Sequence, residues 1–279
     1  MMTRLWDASA ADRVEFVVLG SVEAYRGGAL LPVAGRTAMV ILTGLLLSPN
    51  RVVAADALVE WRWGARLPAS PRAALQSGVS RLRRLIGDDL LETAPLGYRL
   101  LVSDAQLDLL RFSQHVAEAT RAAESGAAGA AVASLDAAIA LWRGTPLSNV
   151  DAPALHREAV PRLTETYLRA VEQRAELCLR LGRNSQVAQD LSGLVLRHPF
   201  HERLAGQLMI ALVRGGRQAD ALAVYDRLRQ TLARELGIDP SAALQNLHTR
   251  ILRADPGWAT GTGQAPPEWL RVFLAAQPA

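Results

Sequence analysis

Residues 71–87, PRAALQSGVSRLRRLIG, are the stretch that decides the fold. Their apolar residues recur at spacings of four, three and four and form one stripe: Leu75, Val79, Leu82 and Ile86. This spacing predicts an amphipathic helix whose stripe packs inward. Ser70 stands where an N-cap belongs, Pro71 suits the first helical position, and Gly87 suits the C-terminal cap. The stretch is therefore predicted to be one helix with defined ends.

The opposite face of this helix is basic. It carries Ala73, Gln76, Ser77, Ser80, Arg81 and Arg84, with Arg72 and Arg83 on one flank. Five arginines and no acid occur between Arg66 and Arg84. Small residues between arginines let a helix enter the major groove of DNA, where arginine pairs with guanine and Gln76 could pair with adenine. The alternative is an arginine face that is merely solvated, and the order of the neighbouring elements favours the DNA-reading helix over it.

The neighbouring signals predict strands, three helices and a final hairpin. Strands are expected at 14–19, 22–26 and 29–33, helices at 36–47, 54–61 and 71–87, and the hairpin strands at 90–93 and 98–102. This order is typical of a winged helix-turn-helix, whose third helix reads the major groove while the hairpin reaches the backbone or minor groove. Arg36, at the start of the first helix, could meet a phosphate.

From Leu107 onward the pattern is helical and contains an internal repeat. Arg180–Arg183 recurs as Arg214–Arg217, and the offset of 34 residues is the period of the tetratricopeptide helix pair. The predicted fold class is thus mainly α: an N-terminal winged helix-turn-helix (α+β) followed by an all-α tetratricopeptide-like array. Residues 254–267 are rich in Pro, Gly and Thr and predict a tail, with a short amphipathic helix at 268–276.

The composition argues against an enzyme. All 31 basic residues are arginine against 27 acids, so lysine-dependent nucleotide binding and Schiff-base chemistry are excluded. His198 and His201 are a weak metal pair that we interpret as a helix junction, and no catalytic fingerprint is present. We expect no cofactor and no metal. The single Cys178 and the short apolar stretch at 38–47 predict a soluble cytoplasmic protein without a membrane span.

With these patterns in place, the sequence resembles the Streptomyces antibiotic regulatory proteins over about residues 14–252. The first part of the resemblance is carried by Phe16–Gly20, Pro49–Val53, Leu58-Val59, Trp63-Gly64, Pro68–Ser70, Leu75-Gln76, Val79–Leu85 and Gly97-Tyr98. The second part is carried by Ala140–Gly144, His198-Pro199, Ala221–Tyr225 and Glu235–Pro240. The chain is similar to the short members of the family, which lack an added nucleotide-binding or sensor module.

The resemblance implies a domain plan and an activity. It implies a flexible N-terminus at 1–13, a response-regulator-type winged helix at 14–104, a tetratricopeptide-like bacterial transcriptional activator domain at 105–253, and a tail at 254–279. It further implies a transcriptional activator of an antibiotic biosynthetic cluster. Such a protein binds direct repeats in double-stranded DNA as a head-to-tail dimer and recruits the RNA polymerase holoenzyme.

The candidate contacts combine the residue pattern with the resemblance. On the helix they are Arg72, Gln76, Ser77, Ser80, Arg81, Arg83 and Arg84. For the wing and backbone they are Arg36, Gly97, Tyr98 and Arg99. Arg62 and Arg66 are the candidates for the polymerase-contact loop, which is often acidic in relatives. Gly78 stands where relatives often have an aromatic residue. Because a mid-helix glycine costs about 1 kcal/mol relative to alanine, we expect a recognition helix that is looser or that becomes ordered on DNA.

Two other functions fit the sequence. The same DNA site could serve a repressor, and the helical array could belong to an interaction protein that binds a peptide or small ligand.

Overall fold

The computed structural model describes residues 13–253. The predicted N-terminal segment before residue 13 and the predicted tail with its helix at 268–276 lie outside the described residues.

The chain begins with a small antiparallel sheet. Its strands are β1 (Val14–Val17), β2 (Glu23–Arg26) and β3 (Ala29–Leu31), in the order β1-β2-β3. Phe16 of β1 lies opposite Ala24 of β2, and both are buried. The predicted hairpin at Gly27-Gly28 is confirmed, since both glycines have the positive φ that its turn requires.

Three helices follow: α1 (Arg36–Leu46), α2 (Ala55–Trp63) and α3 (Pro71–Ile86). The apolar stripe of α3 is confirmed, because none of its four residues is more than 2% exposed. The prediction for Ser70 was wrong in one respect. It precedes the helix as expected, but its side chain makes no capping hydrogen bond, so α3 begins at Pro71 without a side-chain cap.

The strands of a second sheet come from both sides of α2 and α3 in the sequence. It contains β4 (Val52–Ala54), β5 (Leu91–Ala94) and β6 (Gly97–Leu100), in the order β4-β6-β5. The hairpin of β5 and β6 was predicted, whereas β4 was not. Its three residues pair with Arg99, Tyr98 and Gly97 through the backbone. So short a segment carries too little alternation to be recognised, and pairing with a partner distant in sequence defines it.

The rest of the described chain is helical, as predicted. A short 3-10 helix (Asp104–Gln106) leads into α4 (Asp108–Glu124), α5 (Ala128–Ala140), α6 (Pro153–Arg180), α7 (Asn184–Arg197), α8 (Glu202–Arg214), α9 (Gln218–Leu236) and α10 (Ala242–Leu252). Helix α7 packs on α8, and α8 on α9 and α10. Cys178 is fully buried in α6, in agreement with its prediction as a core residue.

Three helices end with the same backbone geometry at glycines related to the sequence repeat. Gly126, Gly182 and Gly216 have φ of 79°, 72° and 74°. In each case the following residue donates its N–H to the carbonyl five residues earlier, at 2.8, 2.9 and 2.8 Å. This left-handed helix end favours glycine, because a Cβ is strained at positive φ.

The chain divides into two compact units that cut across the predicted domain boundary. Within the described residues, one unit contains 13–118 together with 136–168, and the other contains 119–135 and 169–253. Thus 105–118 and 136–168 fold with the N-terminal elements. The boundary at residue 104 stays a prediction about sequence domains. No helix within residues 13–253 combines the length and apolar character that crossing a membrane requires.

Candidate nucleic-acid interface

Helix α3 is held against α1 by a close contact at Gly78. Gly78 is buried, and a Cβ added there would lie 2.7 Å from Ile41 Cδ1 and 3.0 Å from Thr37 Cγ2. The helix is continuous over Pro71–Ile86. The expectation of a looser helix was therefore wrong. The absence of a side chain at Gly78 lets α3 and α1 approach each other closely.

The outward face of α3 is exposed. The residues that are solvent-exposed include Arg72, Gln76, Ser77, Ser80, Arg81 and Arg84. Short local bonds order part of this face: Ser80 Oγ donates to the Gln76 carbonyl at 2.9 Å, and Arg84 Nε donates to the Ser80 carbonyl at 3.3 Å. Since the helix contains no acid, the face presents cationic and hydrogen-bonding groups outward, as contact with a polyanion requires.

Arg83 has a different environment from its neighbours. It is half-buried; its Nε donates to the Leu91 carbonyl at 3.0 Å and its Nη2 to Thr93 Oγ1 at 2.7 Å. Both acceptors lie on β5. Arg83 thus joins α3 to the hairpin, and its side chain is engaged within the protein.

The three wing candidates lie on β6 and face inward or pair with a neighbour. Gly97 is buried so tightly that an added Cβ would overlap the Val53 carbonyl oxygen. Tyr98 is only 8% exposed. Arg99 forms an ion pair with Glu92 of β5 at 2.5 Å. The turn of the hairpin is exposed, and Leu96 in it is 79% exposed.

Arg36 and Arg62 are also engaged. Arg36 at the start of α1 pairs with Asp151 at 2.8 Å and donates to the Asp151 carbonyl. Arg62 donates to Thr37 Oγ1 at 3.1 Å and lies over the Trp63 ring. Burial lowers the pKa of Arg62, and repulsion from Arg36 adds to this. Arg66 is exposed in the loop between α2 and α3.

Sequence reasoning missed Asp108, the first residue of α4. Its buried carboxylate accepts hydrogen bonds from the Val18 and Leu19 N–H groups at 2.9–3.0 Å. Burial raises the pKa of Asp108, against the lowering effect of these bonds. The available signal was an acid at a helix start, which is a common pattern and does not reveal a partner about 90 residues away in the chain.

Two of the motifs that carry the family resemblance, Phe16–Gly20 and Ala140–Gly144, lie in contact with each other. The Arg143 N–H donates to the Leu19 carbonyl at 2.9 Å, and the Leu147 N–H donates to the Gly20 carbonyl at 2.7 Å. Gly20 has a φ of 148° and lies close to the Arg143 backbone. The segment after α5 is therefore bonded to the turn that follows β1, within one compact unit.

The histidine pair lies at the junction of α7 and α8. His201 Nδ1 is 3.3 Å from Glu172 Oε1, and His198 ends α7. The part of the chain that the structure describes contains no cluster of three metal-ligating side chains.

Comparison with known proteins gives consistent matches. The family model described as "Bacterial transcriptional activator domain" matches residues 107–252, just over half of the 279 residues. The regulatory protein DnrI of Streptomyces peucetius is 39% identical over 86% of this chain and 92% of its own length. The regulatory protein AfsR of Streptomyces griseus is 37% identical over 97% of this chain, which spans only 28% of AfsR.

A solved structure is also similar. The structure of Mycobacterium tuberculosis EmbR in complex with a low-affinity phosphopeptide superposes with a TM-score of 0.81 and 35% identity. The match covers 87% of this chain and 65% of the EmbR chain.

Proposed function

The chain belongs to the Streptomyces antibiotic regulatory protein family, and on that premise we propose that it is a sequence-specific DNA-binding transcriptional activator. Its relatives are named regulatory proteins, and the chain is a regulator of transcription rather than an enzyme. The observation that carries the proposal is the acid-free face of α3, exposed while the opposite stripe is buried.

The proposed DNA contacts follow from exposure. Arg72, Gln76, Ser77, Ser80, Arg81 and Arg84 face outward and can reach base edges or phosphates. The other candidates hold the hairpin in place. Arg83 bonds it to α3, while Gly97, Tyr98 and Arg99 pair with β4. The hairpin turn at Pro95-Leu96 is then the part of the wing that approaches DNA.

The three remaining candidate arginines also divide into residues bonded within the protein and an exposed residue. Arg36 and Arg62 hold α1 and α2 in place through their partners Asp151 and Thr37. Arg66 is exposed and stays the candidate for contact with the polymerase. The finer fold is a winged helix-turn-helix followed by a tetratricopeptide-like array, supported by the order of elements and by the repeated glycine helix ends.

The proposed partners are double-stranded DNA with direct repeats, bound by a head-to-tail dimer, and the RNA polymerase holoenzyme. A direct repeat requires the two protomers to bind the duplex in the same orientation. The likeness to DnrI over almost its whole length supports a pathway-specific role in the biosynthesis of a specialised metabolite.

The proposal is tested by mapping bound DNA across the genome and measuring transcription after deletion of the gene. We expect enrichment of promoters with direct repeats and a fall in the adjacent transcripts. A rise in those transcripts would identify a repressor. Absence of any enriched DNA segment, with a protein partner recovered instead, would indicate an interaction protein.

A further inference from the structure

A cleft of about 280 Å³ lies within the first compact unit, away from the outward face of α3. Its walls come from residues 47–49 just after α1, from α2 and from the first halves of α4 and α6. The volume is just below the roughly 300–1,000 Å³ of small-molecule pockets, so an occupant would be small.

The body of the cleft is apolar. Leu155 and Leu163 of α6 are buried at its base, while Leu109 and Leu110 of α4 are half-buried beside it. Trp61 of α2 adds an indole face. Such walls favour an aromatic or aliphatic body, because its transfer from water releases hydration at apolar surface.

The rim is polar and contains one cation. Arg162 and Ser113 line it, with Glu158 on the α2 side. The Glu158 carboxylate accepts a hydrogen bond from Trp61 Nε1 at 2.9 Å. Arg162, by contrast, forms no ion pair with any acid of residues 13–253. A guanidinium group beside an apolar cleft suits a carboxylate or sulfonate.

We propose that this cleft is a binding site for a small molecule with an apolar body and one anionic group. The apolar body packs on Trp61 and the leucines, and the anionic group pairs with Arg162 at the rim.

The cleft is coupled to the packing beneath α3 through Trp61. A Cβ added at Gly44 of α1 would lie only 2.6 Å from Trp61 Cζ3, so the indole ring rests directly on α1. The same helix contacts α3 at Gly78. An occupant that moves Trp61 therefore acts on the helix that carries α3, and DNA affinity responds. This regulatory step rests on the proposed function, whereas binding in the cleft does not.

The test uses 1-anilinonaphthalene-8-sulfonate, an aromatic probe with a single sulfonate, titrated into the full chain without DNA. Arg162→Gln removes the cation, and Arg157→Gln is its control, since Arg157 is exposed on the same helix and does not line the cleft. Ser113→Trp fills the rim from an exposed position, and Gln114→Trp is its control. Thermal melts establish that each variant is folded.

The expected result is binding at one site that Arg162→Gln weakens by about fivefold or more and Ser113→Trp removes, while both controls stay within about twofold of the parent. Absence of probe binding, or equal losses in a variant and its control, would overturn the site.

In a second arm, promoter affinity is measured with and without saturating probe. A shift of about threefold or more, absent in Ser113→Trp, supports the regulatory step. Unchanged promoter affinity with the probe bound would overturn that step alone, and failure of the unliganded protein to bind any promoter counts against the proposed function.

Discussion

At the scale of single residues, glycines position the proposed DNA-reading helix, because the absence of a side chain allows close packing of the elements around it. Gly78 and Gly44 bring α1 into contact with α3 and α2, and Gly97 brings β6 against β4. The sequence shows each glycine but not its neighbour. Gly78 was therefore interpreted as a weakness of α3, because only the packed structure reveals that Ile41 occupies the space of the absent side chain.

Gly97→Ala is expected to destabilise the protein by about 2–3 kcal/mol, because the new Cβ overlaps the Val53 carbonyl and must separate β4 from β6. Chemical denaturation measures the loss. Gly129→Ala in α5 is the control: nothing lies within 4 Å of its added Cβ, so stability should stay equal or rise by up to about 1 kcal/mol. Equal effects of the two substitutions would contradict the assigned contact.

Asp108→Asn is expected to cost about 1–3 kcal/mol of stability, because the amide replaces an acceptor of two backbone N–H groups with a group that is itself part donor. The midpoint of urea unfolding measures this change. Asp104→Asn, an exposed neighbour on the 3-10 helix, should leave the midpoint unaltered. A midpoint that moves for Asp104 and not for Asp108 would refute the assigned role of Asp108.

At the scale of elements, α3 divides its arginines between two tasks. Arg81 and Arg84 are exposed, whereas Arg83 bonds the hairpin. Helical periodicity alone placed all three near the basic face and could not separate them. The distinction depends on where β5 lies. Strand β5 pairs with its neighbour β6, and β6 is placed by pairing with β4, which is distant in sequence.

Arg83→Ala should lower the unfolding free energy by about 1 kcal/mol, because two hydrogen bonds to β5 are lost. The backbone amides of β5 and β6 should exchange faster, as measured by hydrogen–deuterium exchange. The matched Arg84→Ala variant removes an exposed side chain and should keep exchange at the parent rate. A hairpin that exchanges equally in both variants would contradict the joining role of Arg83.

The predictability of the elements has a physical limit. The order of strands, helices and hairpin could be predicted, because long amphipathic segments and Gly turns carry strong local signals. Strand β4 could not, since three residues define it only through pairing with β6. The inward orientation of Tyr98 was missed for the same reason: a wing residue at the sequence level became a core residue once β6 was the central strand.

At the scale of the whole molecule, packing and sequence domains differ. Residues 105–118 and 136–168 join the N-terminal unit through Asp108, Arg143 and Asn149, which bond the segment between β1 and β2 at Val18, Leu19 and Val22. The change from strand to helix periodicity near residue 105 marks a change of secondary structure. It does not reveal which helices fold together.

Stability is expected to fall as pH falls below about 6.5, the ordinary pKa of histidine. Burial lowers the pKa values of His198, His201 and His248, with repulsion from His198 adding to the effect at His201. At these three histidines the folded state therefore binds fewer protons than the unfolded state, and their protonation favours unfolding. The raised pKa values of the buried Asp108 and Glu172 carboxyls act in the opposite direction at lower pH.

His201→Gln should make this pH dependence shallower, as measured by urea unfolding between about pH 7.5 and 5.5. Glu172 Oε1 lies 3.3 Å from His201 Nδ1 and acts against this effect, because a carboxylate favours the protonated imidazole. A parent protein that becomes more stable on acidification would show that attraction to Glu172 outweighs burial.

The central claim is that the exposed arginines of α3 read DNA, and promoter affinity measured by fluorescence anisotropy at fixed salt tests it most directly. Arg81→Ala and Arg84→Ala should each lose about 1–3 kcal/mol of binding free energy while the melting temperature stays constant. Arg157→Ala on α6, which also removes an exposed arginine, should bind as the parent does. Parent-like affinity in both α3 variants would contradict the account.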